Sequence, residues 1–316
     1  MKAMYFVLGG VAVVGVAFAI WTYLNTSTPL SPEQRAALYE TPLPQPDKPM
    51  TVFHLGHSLV GRDMPAMLAQ LAGHDYASQL GWGTPLKAHW EPNEPIQGFD
   101  VENAHEHFRD AKDALASGDF EAFVLTEMVE IEAAIDYFDS PVYLEKWVKA
   151  ARDGNAETRV FLYETWHDLT DPQGWLERLD KDPERYWEGV LLATAMAGQP
   201  DADPIYVIPA GRVMAELVRR IEGGAGVDGV TSREDFFAKT EDGDLDPIHV
   251  NDLGAYLVAL THYAVLYQRT PVGLPAQLDR ADGTPAGAPG PALSALMQET
   301  VWDVVSALPV TGIRKN

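Results

Sequence analysis

Between Met50 and Thr270 the chain alternates short apolar runs with longer stretches of helical period. The runs at 52–56 (VFHLG), 121–126 (EAFVLT), 158–163 (TRVFLY) and 204–208 (PIYVI) are rich in β-branched and aromatic residues and read as strands. A weaker strand pattern lies near 77–81. Apolar positions at helical spacing predict helices over 62–73, 103–117, 141–153, 183–197, 210–222 and 251–268. Strands that are apolar throughout, separated by helices, imply a parallel sheet covered on both faces. Sites in such sheets form beyond the carboxyl ends of the strands. Ser58, Glu127, Glu164 and Pro209 each follow a strand end, so one edge of the sheet should gather them.

Outside this region the pattern changes. Residues 3–24 carry no charge, and as a helix they are about 33 Å long, enough to cross a bilayer core. Lys2 before them favours a cytoplasmic N-terminus with the bulk of the chain outside, in the periplasm or extracellular space. The segment reads as an uncleaved transmembrane anchor, the alternative being a secretory signal cut after Ala17-Phe18-Ala19. Residues 26–49 are rich in Pro and polar side chains, apart from a brief helical pattern at 32–38, and read as a semi-extended linker. The globular region, 50–316, ends in a Gly/Pro/Ala-rich excursion at 270–291 and one amphipathic helix at 292–307.

Charge and composition narrow the functions. Acidic residues number 46 against 23 basic ones, a formal net charge of −23. Such a surface repels phosphate backbones and anionic headgroups, which argues against nucleic-acid binding. The absence of Cys excludes disulfides, thiol catalysis and Cys-ligated zinc. His105 and His107 resemble a metal pair, but two residues apart on a helix they point about 200° apart and share no ion. Glu127, Glu130, Glu132 and Glu164 fit a solvated acidic face better than a two-carboxylate glycosidase site. No cofactor is implied. His89-Trp90 and Trp166-His167 follow strand ends and are candidates to line a cleft.

Two segments carry chemistry. Ser58 follows Gly56-His57 at a strand-to-helix turn, where a hydroxyl meets the amides and dipole of a helix start. The alternative for Ser58 is a helix cap. Near the other end, Asp246-Pro247-Ile248-His249 places a carboxylate and an imidazole three residues apart before a strong helix, which Asn251 or Asp252 is placed to cap. A serine nucleophile needs a neutral imidazole to take its proton and a carboxylate to fix that imidazole's tautomer.

With these pieces in place, the chain resembles the SGNH/GDSL hydrolase superfamily of serine esterases and acyltransferases. Gly56-His57-Ser58-Leu59 is similar to its Gly-Asp-Ser-Leu block, and Asp246-Pro-Ile-His249 to its closing Asp-x-x-His block. The resemblance covers roughly 50–270. It implies a three-layer flavodoxin-like α/β domain with Ser58 as nucleophile, His249 as general base and Asp246 as its orienter. It also implies an oxyanion hole from the Ser58 amide, a glycine of Gln79-Leu-Gly81-Trp-Gly83, with Gly83 preferred to Gly81, and a third donor. That third place is held by Glu127 within Leu125-Thr126-Glu127-Met128, where relatives carry Gly-x-Asn-Asp. An ionised Glu offers only acceptors, and position 57 also departs, with His for Asp or Asn. The function implied is a membrane-tethered hydrolase removing an acyl group, acetyl among the candidates, from a carbohydrate or other small ester. An acyltransferase with the same triad and a catalytically inactive binding module are the alternatives.

Overall fold

A computed structural model describes residues 28–198 and 203–314. Five parallel strands form the central sheet: β1 Val52–His57, β2 Tyr76–Gly81, β3 Ala122–Leu125, β4 Arg159–Glu164 and β5 Tyr206–Pro209. They lie in the order β2-β1-β3-β4-β5. All residues of β1 and β3 are buried, as expected of strands covered on both faces. The register pairs His57 with Gly81 and Leu55 with Leu125, so the carboxyl ends of β1, β2 and β3 are neighbours. The connections run in opposite directions from β1 and β3, and a crevice opens at that switch point.

Helices cover each face. On one side α1 (Asp63–Ala72), α3 (Ala210–Glu222), α4 (Asp252–Tyr267) and α5 (Pro291–Ala307) pack on one another. On the other, α2 (Ser140–Gly154) packs against Leu86–Trp90, Ala111–Ser117 and the 183–197 stretch. Within that stretch, Pro183–Leu192 is wound as a π-helix before Ala193–Ala197 continues as α-helix. The helix expected over 103–117 is shorter than its pattern. Asp110 accepts from the Lys112 and Asp113 amides and starts the helix at Ala111. Residues 107–109 instead pair with Ser78 on the edge of β2. The apolar pattern gave no sign of the helices Ile131–Phe138 and Trp175–Asp182, nor of the antiparallel hairpin of β6 (Phe237–Lys239) and β7 (Leu245–Val250).

The proline-rich segment before the sheet lies against the domain. Tyr39 is buried and its hydroxyl donates to Ile205 O, the Leu43 amide donates to Gly312 O, and Arg159 donates to Pro44 O. Among the described residues no helix is long and apolar enough to cross a membrane. The anchor expected over residues 3–24 lies outside the described residues.

Several imidazoles are buried in this core. Burial pulls His57, His74, His89 and His262 down to about 4 and His54 well below its ordinary value. Neither ring nitrogen of His54 has a hydrogen-bond partner. Unfolding lets each ring take up a proton below about pH 6.5, so stability is full above that pH and falls towards pH 4, by about 3 kcal/mol per group shifted to about 4. Glu127 has the opposite sign: burial raises it to about 7, so it gains stability as pH falls from 7 towards 4.5. The histidines outweigh it several-fold. Thermal or urea unfolding followed from pH 7.5 to 4.5 should therefore show a steep loss of stability. His54→Leu, which removes an unpaired buried imidazole, should stabilise the fold more at pH 5 than at pH 7.5. Equal pH slopes for variant and wild type would contradict this.

Candidate active site

The β1–α1 connection presents Ser58 on a turn closed by the Val60 amide donating to His57 O. The helix cap position belongs to Arg62, four residues on, so Ser58 is not a cap. Gly56 is needed for close approach rather than for the turn. A Cβ there would meet Thr126 Cγ2 at 2.6 Å, where the chain leaving β3 passes beside β1.

Two buried imidazoles hold this turn from beneath. His89 Nε2 lies 2.9 Å from Gly56 O, while its Nδ1 lies 3.0 Å from Gln79 Nε2. Gln79 Oε1 in turn accepts from the Ala111 amide. The Gln79 amide can only donate to His89, so the His89 Nε2–H donates to Gly56 O. His57 is fixed in the same way. The Leu59 amide donates to its Nδ1, and its Nε2–H donates to Glu127 O at 2.9 Å. Both rings are neutral, and both are props behind the nucleophile turn.

Asp246 and His249 arrive on the strand β7. The carboxylate folds the segment on itself. Asp246 Oδ1 accepts from the Ile248 and His249 amides, each at 3.0 Å, and Oδ2 lies 2.8 Å from His249 Nδ1. Burial raises the Asp246 carboxyl, but these amides and the imidazole more than offset it and hold the group below its ordinary value. His249 Nε2 stands 2.9 Å from Ser58 Oγ. Residues 191 positions apart are thus joined in one hydrogen-bonded line.

The strand that carries Asp246 and His249 is braced from the segment after β4. Trp166 Nε1 donates to Ile248 O at 2.8 Å, and the Leu169 amide donates to Pro247 O. Trp166 is buried and supports the site rather than lining it. Asn251 accepts from the Leu253 and Gly254 amides at the start of α4 and donates to Asp235 O and Phe237 O, tying β7 to β6. The C-terminal excursion closes the side. Arg280 grips Asp252 at 2.9 and 2.5 Å, and the Ala281 amide donates to Asp63.

The expected oxyanion residues are placed unequally. Gly83 is exposed at the end of β2, with φ +55°. Glu127 is fully buried, and its Oε1 accepts from the Leu86 and Met128 amides at 3.1 and 2.8 Å. Burial raises its carboxyl to about 7, against the pull of the Met128 amide, the Ser140 hydroxyl and the Leu86 amide. Glu127 therefore acts as an acceptor that starts the Leu86–Trp90 helix, and it has a proton to give only when neutral.

Of the other carboxylates singled out by the sequence, Glu130 and Glu164 are engaged in ion pairs, while Glu132 meets the Tyr186 hydroxyl. Glu164 pairs with Arg212 at 2.7 Å. Glu130, Asp171 and Asp182 surround the buried Arg178, and Asp182 also meets His167 Nε2 at 3.0 Å. Glu130, His167 and Asp171 stand close enough together to share a cation, but the Arg178 guanidinium already supplies that charge. His105 and His107 lie off any helix, and His107 stacks on Tyr76.

A cavity of about 220 Å³ opens beside Ser58 and His249, with Gly61, Arg62, Asp63 and Asn251 among its walls. It has room for a small acyl group and is below the usual range for larger ligands.

No protein-family model matches the chain, and no curated protein matches it. Among solved structures, a DUF4886 family protein from Bacteroides uniformis is similar at 14% identity and a TM-score of 0.49, over 82% of this chain and 95% of that one. A carbohydrate esterase family 2 enzyme with a carbohydrate binding domain, from Myceliophthora fergusii, is similar at 13% identity and a TM-score of 0.33, over 71% of this chain and 67% of that one. Neither likeness bears on the function of this chain.

Proposed function

We propose that this chain is a serine hydrolase of the SGNH type that cleaves small acyl esters through a covalent acyl-enzyme. The observation that carries the reading is the line from Ser58 Oγ to His249 Nε2 at 2.9 Å and from His249 Nδ1 to Asp246 Oδ2 at 2.8 Å. Asp246 accepts a hydrogen bond from His249 Nδ1–H, which leaves the Nε2 lone pair facing the Ser58 hydroxyl. Ser58 Oγ attacks the ester carbonyl as Nε2 takes its proton. The backbone amides of Ser58 and Gly83 receive the oxyanion. Collapse of the tetrahedral intermediate expels the alcohol, protonated by His249. Water then attacks the acyl-enzyme with His249 again as base, and the Ser58 Oγ–acyl bond breaks to release the carboxylic acid as His249 returns the proton to Oγ. The motif resemblance to esterases and the size of the cavity support a short acyl group. Tethering through residues 3–24, with the domain in the periplasm or outside the cell, belongs to the same reading.

Kinetics on a chromogenic acetate ester test the mechanism. Ser58→Ala should lower kcat by about 10⁴-fold or more. Asp246→Asn keeps an acceptor for the Ile248 and His249 amides but no longer fixes the tautomer. It should cost about 10³–10⁴-fold with little change in melting temperature. Unchanged turnover in Ser58→Ala would sink the proposal.

Glu127 adds a pH signature. Its ionisation near 7 adds a negative charge in the wall behind the Ser58 turn, which opposes a developing oxyanion. kcat/KM should fall as pH rises through this value. Glu127→Gln keeps an acceptor for the Leu86 and Met128 amides and does not titrate, so it should abolish that descending limb. A profile identical to wild type would show that Glu127 does not sense the reaction.

A further inference from the structure

The β2 end of the crevice holds a feature that the triad does not use. Trp82 directly follows Gly81, which is in register with His57, so Trp82 and Ser58 leave neighbouring strands side by side. Among the described residues it is one of a few large apolar side chains left open, with 50% of its surface exposed. Its position is nonetheless fixed. The indole Nε1 donates to Glu102 Oε1 at 2.7 Å, and the Trp82 amide donates to Gln97 O at 2.8 Å. Gly98 lies under the ring. A Cβ at Gly98 would meet indole Cδ2 and Cε2 at 2.3 Å, so the ring rests on the glycine backbone. One face is covered, one edge is tied, and the remaining surface faces solvent.

The platform is joined to the cavity by Arg62. That side chain lines the space beside Ser58, and its guanidinium donates to the carbonyls of Val101 and Glu102. Trp82 is thus linked to the cavity beside Ser58 through Glu102 and Arg62. An aromatic face is electron-rich and suits the polarised C–H groups of a sugar ring. The charge around it selects among sugars. Segment 91–102 carries Glu91, Glu94, Asp100 and Glu102, against which stand Arg62, on the carbonyls of Val101 and Glu102, and Lys146, paired with Glu91. The carboxylates outnumber these two cations, which disfavours anionic lipids and uronates, whereas the hydroxyls of a neutral sugar find acceptors.

We infer that Trp82 is a carbohydrate platform: a neutral pyranose stacks on its open face and delivers its O-acyl group to Ser58. The inference rests on the serine-hydrolase reading for the reaction, but not for the binding. Glu102 has a double part, tying the indole through Oε1 and leaving Oε2 to accept from a sugar hydroxyl.

Two measurements on the full chain separate the claims. In the first, Ser58→Ala is titrated with an O-acetylated xylo-oligosaccharide, by calorimetry and by indole fluorescence. Saturable binding is expected, and adding Trp82→Ala should weaken it about tenfold or more. Adding Trp82→Phe, which keeps a smaller aromatic face, should weaken it less. No binding, or equal binding with and without Trp82, overturns the inference. In the second, turnover is compared on the acetylated oligosaccharide and on 4-nitrophenyl acetate. Trp82→Ala should raise KM for the sugar ester about tenfold with kcat held within about twofold. kcat/KM for the nitrophenyl ester should also stay within about twofold. An equal loss on both esters would make Trp82 a structural residue and overturn the inference. If Trp82→Ala does not fold, Trp82→Phe decides by the same KM split. Sugar binding without turnover of either ester would contradict the hydrolase reading alone.

Discussion

One carboxylate organises the candidate site. Asp246 accepts three hydrogen bonds, two from the amides of its own segment and one from the imidazole three residues on. The first two bend the chain so that His249 returns over Asp246. The third fixes which ring nitrogen carries the proton. Without that choice, the 2.9 Å approach of His249 Nε2 to Ser58 could not activate the serine, because a protonated Nε2 has no lone pair for the hydroxyl proton.

Much of the surrounding fold holds the two halves of this line in place. On the serine side, the buried His57 and His89 rings turn polar atoms towards the Gly56–Leu59 backbone, and Gln79 fixes the His89 ring from behind. On the histidine side, Trp166 and Leu169 fasten β7 to the loop after β4, and Asn251 fastens it to α4. The Arg178 cluster secures that loop through Asp171 and through the shared contact of Asp182 with His167. Buried ion networks of this kind lose several kcal/mol when one partner is removed, so they fix geometry more than they add net stability. Neutral histidines in the interior limit the fold to pH values where they stay uncharged.

The sheet and the long helices were legible in the sequence because burial on both faces leaves a continuous apolar run and each helix keeps its period. The bounds of α3, 210–222, follow from its pattern unchanged, and the weaker 77–81 signal is β2. Ser58, Asp246 and His249 were legible because each chemical group sits in a short local motif. What failed was set by partners distant in sequence. The helical period over 103–110 loses to pairing with Ser78 and to the Asp110 cap. The β6–β7 hairpin has no apolar alternation, since β7 is only partly buried along its length. Glu130 reads as surface charge because Arg178, which gathers it together with Asp171, lies on a helix whose acidic and basic residues look solvated. Trp82 carried no signal of its own, because its value lies in the register of β1 with β2 and in Gly98 beneath the ring.

Everything proposed for the site requires Ser58 to be an activated nucleophile. Exposure of the folded chain to a fluorophosphonate, followed by mass mapping of the adduct, probes that property without knowledge of the substrate. One adduct per chain is expected, on Ser58, absent from Ser58→Ala and formed much more slowly in Asp246→Asn. No adduct on the folded wild-type chain, or one that persists in Ser58→Ala, would contradict the assignment.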